Sequence, residues 1–392
     1  MQLQEMFERQ FPHDKNYHLL HCPYRVCPLG AHVDHQYGLV TGFDLDKGVT
    51  LCFAPVKQPQ VTLYSTTFAG EVCFDICSSI HREKDWGDYA RAAASALMAH
   101  GYRLNHGLCG IVEGSLPIGG LSSSAAVIIV YILALCQVNA IRLEASALIA
   151  IALWAENQYV GVNVGKLDQS CEVYCRKDHL LYLDTQNDSF ELIPKNAKMP
   201  PFQIAVLFSG ISRALVDSEY NARVDECKAA AYALKAFAGI PYGRVSDTRL
   251  RDVPYEVFER FRERLPENWA KRAAHYFTEV GRVRRGVDAW ENGDIQMLGQ
   301  IIYESGNSSI YNYESGSPEL RALHEIMLEA PGIYGGRFSG AGFKGCCMAI
   351  IDPVQGERMA EYITRRYVDR FPHLQESFSI HFCESADGVG VL

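Results

Sequence analysis

The sequence has no long hydrophobic run. Its longest, residues 125–136, is 12 residues. That is too short to cross a bilayer and suits a buried helix. Positive charge is also in short supply. The 37 Lys and Arg face 46 Asp and Glu, a net charge of −9. This balance gives no general reason to expect nucleic acid or an anionic membrane as partner. The 13 cysteines include no CxxC pair, their number is odd, and Cys346 and Cys347 are adjacent. A disulfide framework or structural zinc is therefore not expected; reduced, largely buried cytosolic thiols are. The opening MQLQEMFERQ lacks the apolar stretch of a secretory signal, so a cytoplasmic location is expected. Repeats, low-complexity segments and a GK[ST] phosphate loop are missing as well.

What remains is an ordinary globular composition, 48% hydrophobic and 21% charged over 392 residues. Single cores stop growing near about 250–300 residues, so two domains are expected. The boundary is placed near Pro200 and Pro201, giving domains 1–200 and 201–392. Residues 1–20 read as an amphipathic helix. Residues 48–54, 60–65, 71–76, 107–113 and 180–184 read as strands, being rich in Val, Leu, Phe and Tyr between turns. Helices are expected over 86–102, 125–136 and 143–160. In the second half a strand is expected at 203–208. Helices follow near 217–237, 269–291, 295–304, 318–329 and 354–367, with strands at 346–351 and 379–382.

Three polar stretches stand apart from this background. Residues 23–38, PYRVCPLGAHVDHQYG, read as a loop carrying an arginine, two histidines and an aspartate. Arg25 could offset charge on a transferring phosphoryl group. The H-x-D-H spacing of His32, Asp34 and His35 suits hydrogen bonding to a polyol better than metal ligation. SLPIGGLSSS feeds a glycine-rich turn into the apolar helix. A plain serine-capped turn is one reading. Phosphate binding at a helix N-terminus, with hydroxyls able to meet Mg²⁺, is the other and is preferred. RFSGAGFKGCC is a second glycine-rich turn running into a strand. Between the first two and the third, GVNVGKLDQ reads as a loop in which Asp168 is either a turn aspartate or a general base.

Together these stretches resemble the galactokinase branch of the GHMP small-molecule kinases. PYRVCPLGAHVDHQYG is similar to the galactokinase signature, SLPIGGLSSSAAV to the phosphate-binding motif and RFSGAGFKGCC to the third motif. AENQYVGVNVGKLDQ resembles the acidic segment, and WGDYARAAA, SEYNARVDEC and GDIQMLGQIIYES also fall in family order. The resemblance implies an α+β, two-domain GHMP kinase fold. A mixed α/β N-terminal domain and a ferredoxin-like α+β C-terminal domain would flank an active-site cleft. It implies ATP and Mg²⁺ as cofactors. Arg25 and Asp168 resemble the catalytic pair, and Ser124 and Glu156 the Mg²⁺ ligands. Gly119, Gly120, Ser122 and Ser123, with Ser124, would line the phosphates; Trp86 and Tyr89 would lie near the base. His32, Asp34 and Tyr220 resemble sugar contacts, beside Ala31 and His35.

The departures point to a substrate. Where galactokinases carry a glutamate against the hydroxyl at sugar carbon six, this chain has Ala31. Two like charges about 4 Å apart cost roughly 4 kcal/mol at an effective dielectric near 20, about a thousandfold in affinity. A glutamate would exclude a uronic acid and Ala31 admits one. The expectation is therefore phosphorylation of the anomeric hydroxyl of D-galacturonate. D-galactose is the runner-up, and glucuronate or a non-catalytic sugar sensor comes third. His35 and Lys166 are the candidate cations for the substrate carboxylate. Monomer or dimer is left open.

Overall fold

The computed structural model describes residues 2–14, 16–211 and 216–391, without the side chains of 216–218 and 391. The first half runs α1 (Leu3–Gln10), β1 (His18–Val26), β2 (Leu39–Val56), β3 (Gln60–Ser65), β4 (Val72–Asp75), α2 (Asp88–Ala99) and β5 (Gly107–Gly114). It continues with α3 (Ser123–Val138), α4 (Ala145–Trp154), a π-helical stretch at Ala155–Val160, α5 (Leu167–Tyr174), β6 (His179–Asp184) and β7 (Ser189–Pro194). The second half holds β8 (Gln203–Phe208), α6 (Val216–Ala238), α7 (Tyr255–Phe261), α8 (Glu267–Asn292), α9 (Ile295–Tyr311) and α10 (Pro318–Glu329). It ends with β9 (Ile333–Phe338), β10 (Cys346–Ile351), α11 (Gly356–Arg370), β11 (Ser379–Cys383), β12 (Ser385–Ala386) and β13 (Gly390–Val391).

Among the described residues the strands form two sheets. The larger has nine strands in the order β13-β1-β2-β5-β3-β4, with β6 and β12 attached along the long β2 and β7 paired to β6. The smaller is a four-stranded antiparallel sheet, β11-β8-β10-β9, in the ferredoxin-like half. Its central strands QIAVLF and CCMAII are buried almost throughout. Helix α3 is apolar on every side, so it sits inside the core rather than on it. Trp290 of α8 is fully buried against Phe43 of β2 at 5.3 Å, and its indole N–H donates to the Ile193 carbonyl at 3.0 Å. One core cluster thus spans both halves. No helix of the described residues is long and apolar enough to cross a membrane.

Several expected boundaries move. The opening helix stops at Gln10, and His18–Val26 is strand rather than helix and loop. Arg25 therefore sits on a strand. Pro23 is tolerated there because the β1–β2 register shifts between Pro23 and Arg25, a bulge that demands no proline N–H. Asp168, expected in a loop, lies in the first turn of α5. Arg337 and Phe338, expected in a turn, end β9. The split at residues 200 and 201 falls between β7 and β8. The last strands nevertheless cross back, with β12 pairing β2 and β13 pairing β1.

Candidate active site

The polar stretches converge on one cleft of about 280 Å³, lined by Arg25, Ala31, His32, Asp34, Gly119, Gly120, Ser122–Ser124, Asp168, Tyr220 and Lys344, among others. Arg25 is only 4% exposed. Its Nε and Nη2 both donate to Oδ1 of Asp168, at 2.8 and 2.7 Å. The second Asp168 oxygen is left unpaired with the arginine. Burial, and then the Asp168 charge, push Asp34 up to about 6. Burial and the same charge push Glu156 up to about 7, against hydrogen bonds from Ser124 and Gln169.

The glycine–serine loop does not make an ordinary cap. Helix α3 begins at Ser123, and the preceding Ser122 is left-handed, with φ of 59°. Its hydroxyl caps nothing and is a buried atom without a protein partner. The plain serine-capped reading of this loop therefore fails. The first-turn N–H groups and the Ser122 hydroxyl remain for a ligand. Gly119 and Gly120 have φ of 134° and 85°. A Cβ on Gly119 would come within 2.9 Å of the Gly345 Cα, and one on Gly340 within 2.8 Å of the Gly120 Cα. The two glycine turns pack backbone against backbone. Ser339 fastens them by donating its Oγ to the Gly120 carbonyl at 2.6 Å.

At the other end of the cleft, His32 stacks on Tyr313 with centroids 4.2 Å apart. Its Nε2 is buried without a partner, and burial and His275 hold the ring neutral. Tyr220 faces Asp34 and Asp168, and burial followed by those charges raises its phenol well above the usual range. Ala31 is 7% exposed. Its carbonyl accepts from His275 Nε2 at 2.9 Å.

Two sequence assignments are corrected here. His35 does not line the cleft. Its Nδ1 accepts from Gln36 Nε2 at 3.0 Å, so Nε2 carries the proton and donates to the Tyr313 hydroxyl at 3.2 Å. Burial, then Lys228 and Arg249, push it down to about 3, so it supplies no cation near neutral pH. Lys166 pairs with Asp188 instead. Trp86 lies outside the central cleft too. It stacks on Phe68, with centroids 6.3 Å apart, in an adjoining cavity of about 150 Å³ that Tyr24, Tyr89, Val127 and Tyr131 also line. Tyr89 lines both spaces.

Sequence reasoning missed three features. Lys344 of the third motif reaches the cleft. Asp44 of β2 and Glu172 of α5 are fully buried, with all four carboxylate oxygens unpartnered. Burial raises both well above the usual carboxylate range. Asp44 pairs in register with Arg25 across β1 and β2. The two aspartates of FDLD read alike as solvent-facing, so the sequence carries no signal for Asp44. Among the described residues no three His, Cys, Asp or Glu side chains group to hold a metal.

The GHMP kinases N terminal domain matches residues 88–176, and the GHMP kinases C terminal domain matches residues 287–369. A galacturonokinase from Arabidopsis thaliana is 39% identical over 94% of this chain and 92% of its own length. The chain belongs to the GHMP kinases. Within that family it falls in the galactokinase branch. A galactokinase from Roseiflexus sp. (strain RS-1) is 30% identical over 99% of this kinase and 96% of its own length. The fold agrees. The crystal structure of Lactococcus lactis galactokinase complexed with galactose aligns at a TM-score of 0.90 and 24% identity, covering 100% of this kinase and 99% of that chain. A mevalonate kinase aligns at 0.64 and 13% identity, over 94% of this kinase and 99% of its own chain. The kinase is an ATP-dependent phosphotransferase.

Proposed function

We propose that this kinase transfers the γ-phosphoryl group of ATP to the anomeric hydroxyl of D-galacturonate, giving α-D-galacturonate 1-phosphate and ADP. The observation that carries the substrate assignment is Ala31, a buried methyl in place of the family's glutamate, at the cleft end that His32, Asp34 and Tyr220 also line. The 39% identity to a galacturonokinase supports the same reading. Asp168 orients the anomeric hydroxyl and takes its proton. Arg25, fixed on Asp168, stabilises the transferring phosphoryl. Gly119, Gly120 and Ser122–Ser124 cradle the phosphates at the α3 N-terminus. Trp86 and Tyr89 flank the base.

Mg²⁺ fits the oxygen donors at hand. Glu156 is a buried carboxyl that accepts from Gln169, and its burial and the Asp168 charge beside it disfavour its ionised form, which a cation would favour. Mg²⁺ takes one or two protein oxygens and completes its shell with phosphates and water. When bound there it would neutralise charge on the phosphates. His32, through its unpartnered Nε2, and Tyr220, through its hydroxyl, hold the sugar. Domains 1–200 and 201–392, with the last strands returning to the first, and a cytoplasmic location belong to the same reading.

The test is coupled ADP release with ATP·Mg²⁺ and, in parallel, D-galacturonate, D-glucuronate and D-galactose. Turnover on galacturonate far above galactose is expected. Turnover on galactose alone would overturn the substrate, and no turnover on any of the three would overturn the sugar-kinase reading.

A further inference from the structure

Arg25 and Lys344 are the two Lys or Arg side chains among the described residues lining the cleft. Arg25 is committed to Asp168 by two hydrogen bonds. Lys344 is half-buried and forms no ion pair within the described residues. Its backbone is nonetheless held firmly. The next residue, Gly345, has its carbonyl bonded by the Ser209 N–H at 2.9 Å and the Ser209 Oγ at 2.8 Å. Two residues earlier, the Gly342 carbonyl accepts from the Gly316 N–H at 2.7 Å. A lysine held on both sides, lining a cleft and lacking a carboxylate, is a charge waiting for an anion.

Position decides which anion. Gly345 packs its backbone on Gly119, and Gly340 packs on Gly120. Lys344 therefore springs from the wall facing the glycine–serine loop, away from the end formed by Ala31, His32 and Tyr220. We propose that Lys344 binds the polyphosphate of the nucleotide from the C-terminal half, opposite the α3 N-terminus. The inference rests on the phosphate role of the glycine–serine loop, not on the identity of the sugar. The phosphates would lie between backbone N–H groups and helix dipole on one side and an ammonium on the other.

The experiment uses the whole chain without sugar. Binding of Mg²⁺·ADP, of a non-hydrolysable ATP analogue and of adenosine is measured by calorimetry for wild type, Lys344→Met, Lys344→Gln and Lys344→Arg. Both neutral variants are expected to weaken the two phosphorylated ligands roughly tenfold or more, with adenosine unchanged and Lys344→Arg near wild type. Their salt dependence should also flatten. Nucleotide affinities unchanged in the neutral variants would overturn the proposal. So would unchanged nucleotide binding together with a raised KM for the sugar acid in a companion ADP-release assay, which would assign the lysine to the substrate carboxylate. Failure of wild type to bind nucleotide at all would instead overturn the phosphate-loop reading beneath it.

Discussion

Replacing Ala31 by glutamate tests the charge argument directly. The residue is 7% exposed, and its backbone is held by the His275 bond to its carbonyl. The loop therefore keeps its place while the side chain changes. A carboxylate there would lie about 4–6 Å from a carboxylate at sugar carbon six. At an effective dielectric near 20, that repulsion is roughly 3–4 kcal/mol, or about 100- to 1000-fold. Burial matters too. Asp34 in the same cleft is pushed up to about 6 by burial and the Asp168 charge. A glutamate at position 31 would share that burial, which favours its protonated form, so the repulsion should weaken as the pH falls. The assay is kcat/KM for galacturonate and galactose at both pH values, for Ala31→Glu and the neutral control Ala31→Gln. Ala31→Glu should lower the galacturonate-to-galactose ratio about 100-fold or more at pH 8 and less at pH 6. Ala31→Gln should change it less than about tenfold. A wild-type ratio in Ala31→Glu, or equal losses in both variants, would refute the argument.

Asp168→Asn should lose roughly 100- to 10,000-fold in turnover. Its amide oxygen can still accept both Arg25 bonds, so the melting temperature and ATP-analogue binding should hold; retained turnover would remove the base assignment. The buried histidines contribute a loss of stability on acidification, opposed by Asp34 and Glu156, whose raised carboxyls take up protons in the folded state. Burial, then Lys228 and Arg249, push His35 down to about 3, and burial, opposed by Glu279, pushes His275 down to about 4. The unfolded chain binds these protons near 6.5, so between about 6.5 and 4 unfolding takes up protons and stability drops, by roughly 2 kcal/mol per histidine at pH 5. Thermal melts of wild type and His35→Gln from pH 7.5 to 5 read the His35 contribution, and the variant should lose less stability, or gain more, as the pH falls. An unchanged slope in the variant would place the acid sensitivity elsewhere.

The sequence revealed motifs better than their settings. The glycine turns at 119–120 and 340–345 were legible because positive φ and close backbone approach demand glycine. Helices α8 and α10 were expected near 269–291 and 318–329 and stand at Glu267–Asn292 and Pro318–Glu329, the second capped by the Ser317 side chain. Long-range pairing decided the rest. The first half of β2 gains strand form from β6 across 140 residues of chain, and Pro23 sits in a strand only because a bulge absorbs it. His35 looked like a sugar contact because it shares a motif with His32 and Asp34; the 3₁₀ turn at Asp34–Gln36 aims it at Tyr313. Lys166 looked like a cation for the substrate until Asp188, 22 residues on, took it.

The sugar end of the cleft shows why one residue there can set specificity. Helix α8 holds the loop by its backbone. Glu279 accepts from the Gly30 N–H at 2.8 Å, and His275 donates to the Ala31 carbonyl at 2.9 Å. Glu279 is itself fixed by Arg282 at 2.7 Å and by Ser305 at 2.6 Å, with Arg337 at 3.6 Å. Burial alone would raise its pKa, but Arg282, His275 and Arg337 overcome this and hold it down at about 2. It stays an acceptor across the working range of pH. None of these bonds involves the Ala31 side chain. The position is geometrically fixed and chemically open, so on the proposed substrate assignment a change at residue 31 should alter the charge met by carbon six without releasing the loop. Glu279→Gln should act in the opposite way. Removing the charge strands Arg337 and Arg282 in the interior, a loss of about 3–5 kcal/mol, while leaving Ala31 as the residue that carbon six meets. Such a variant should melt far lower yet keep the wild-type preference between galacturonate and galactose in whatever fraction folds. A shifted preference would mean that the α8 anchor, rather than the side chain at 31, selects the sugar.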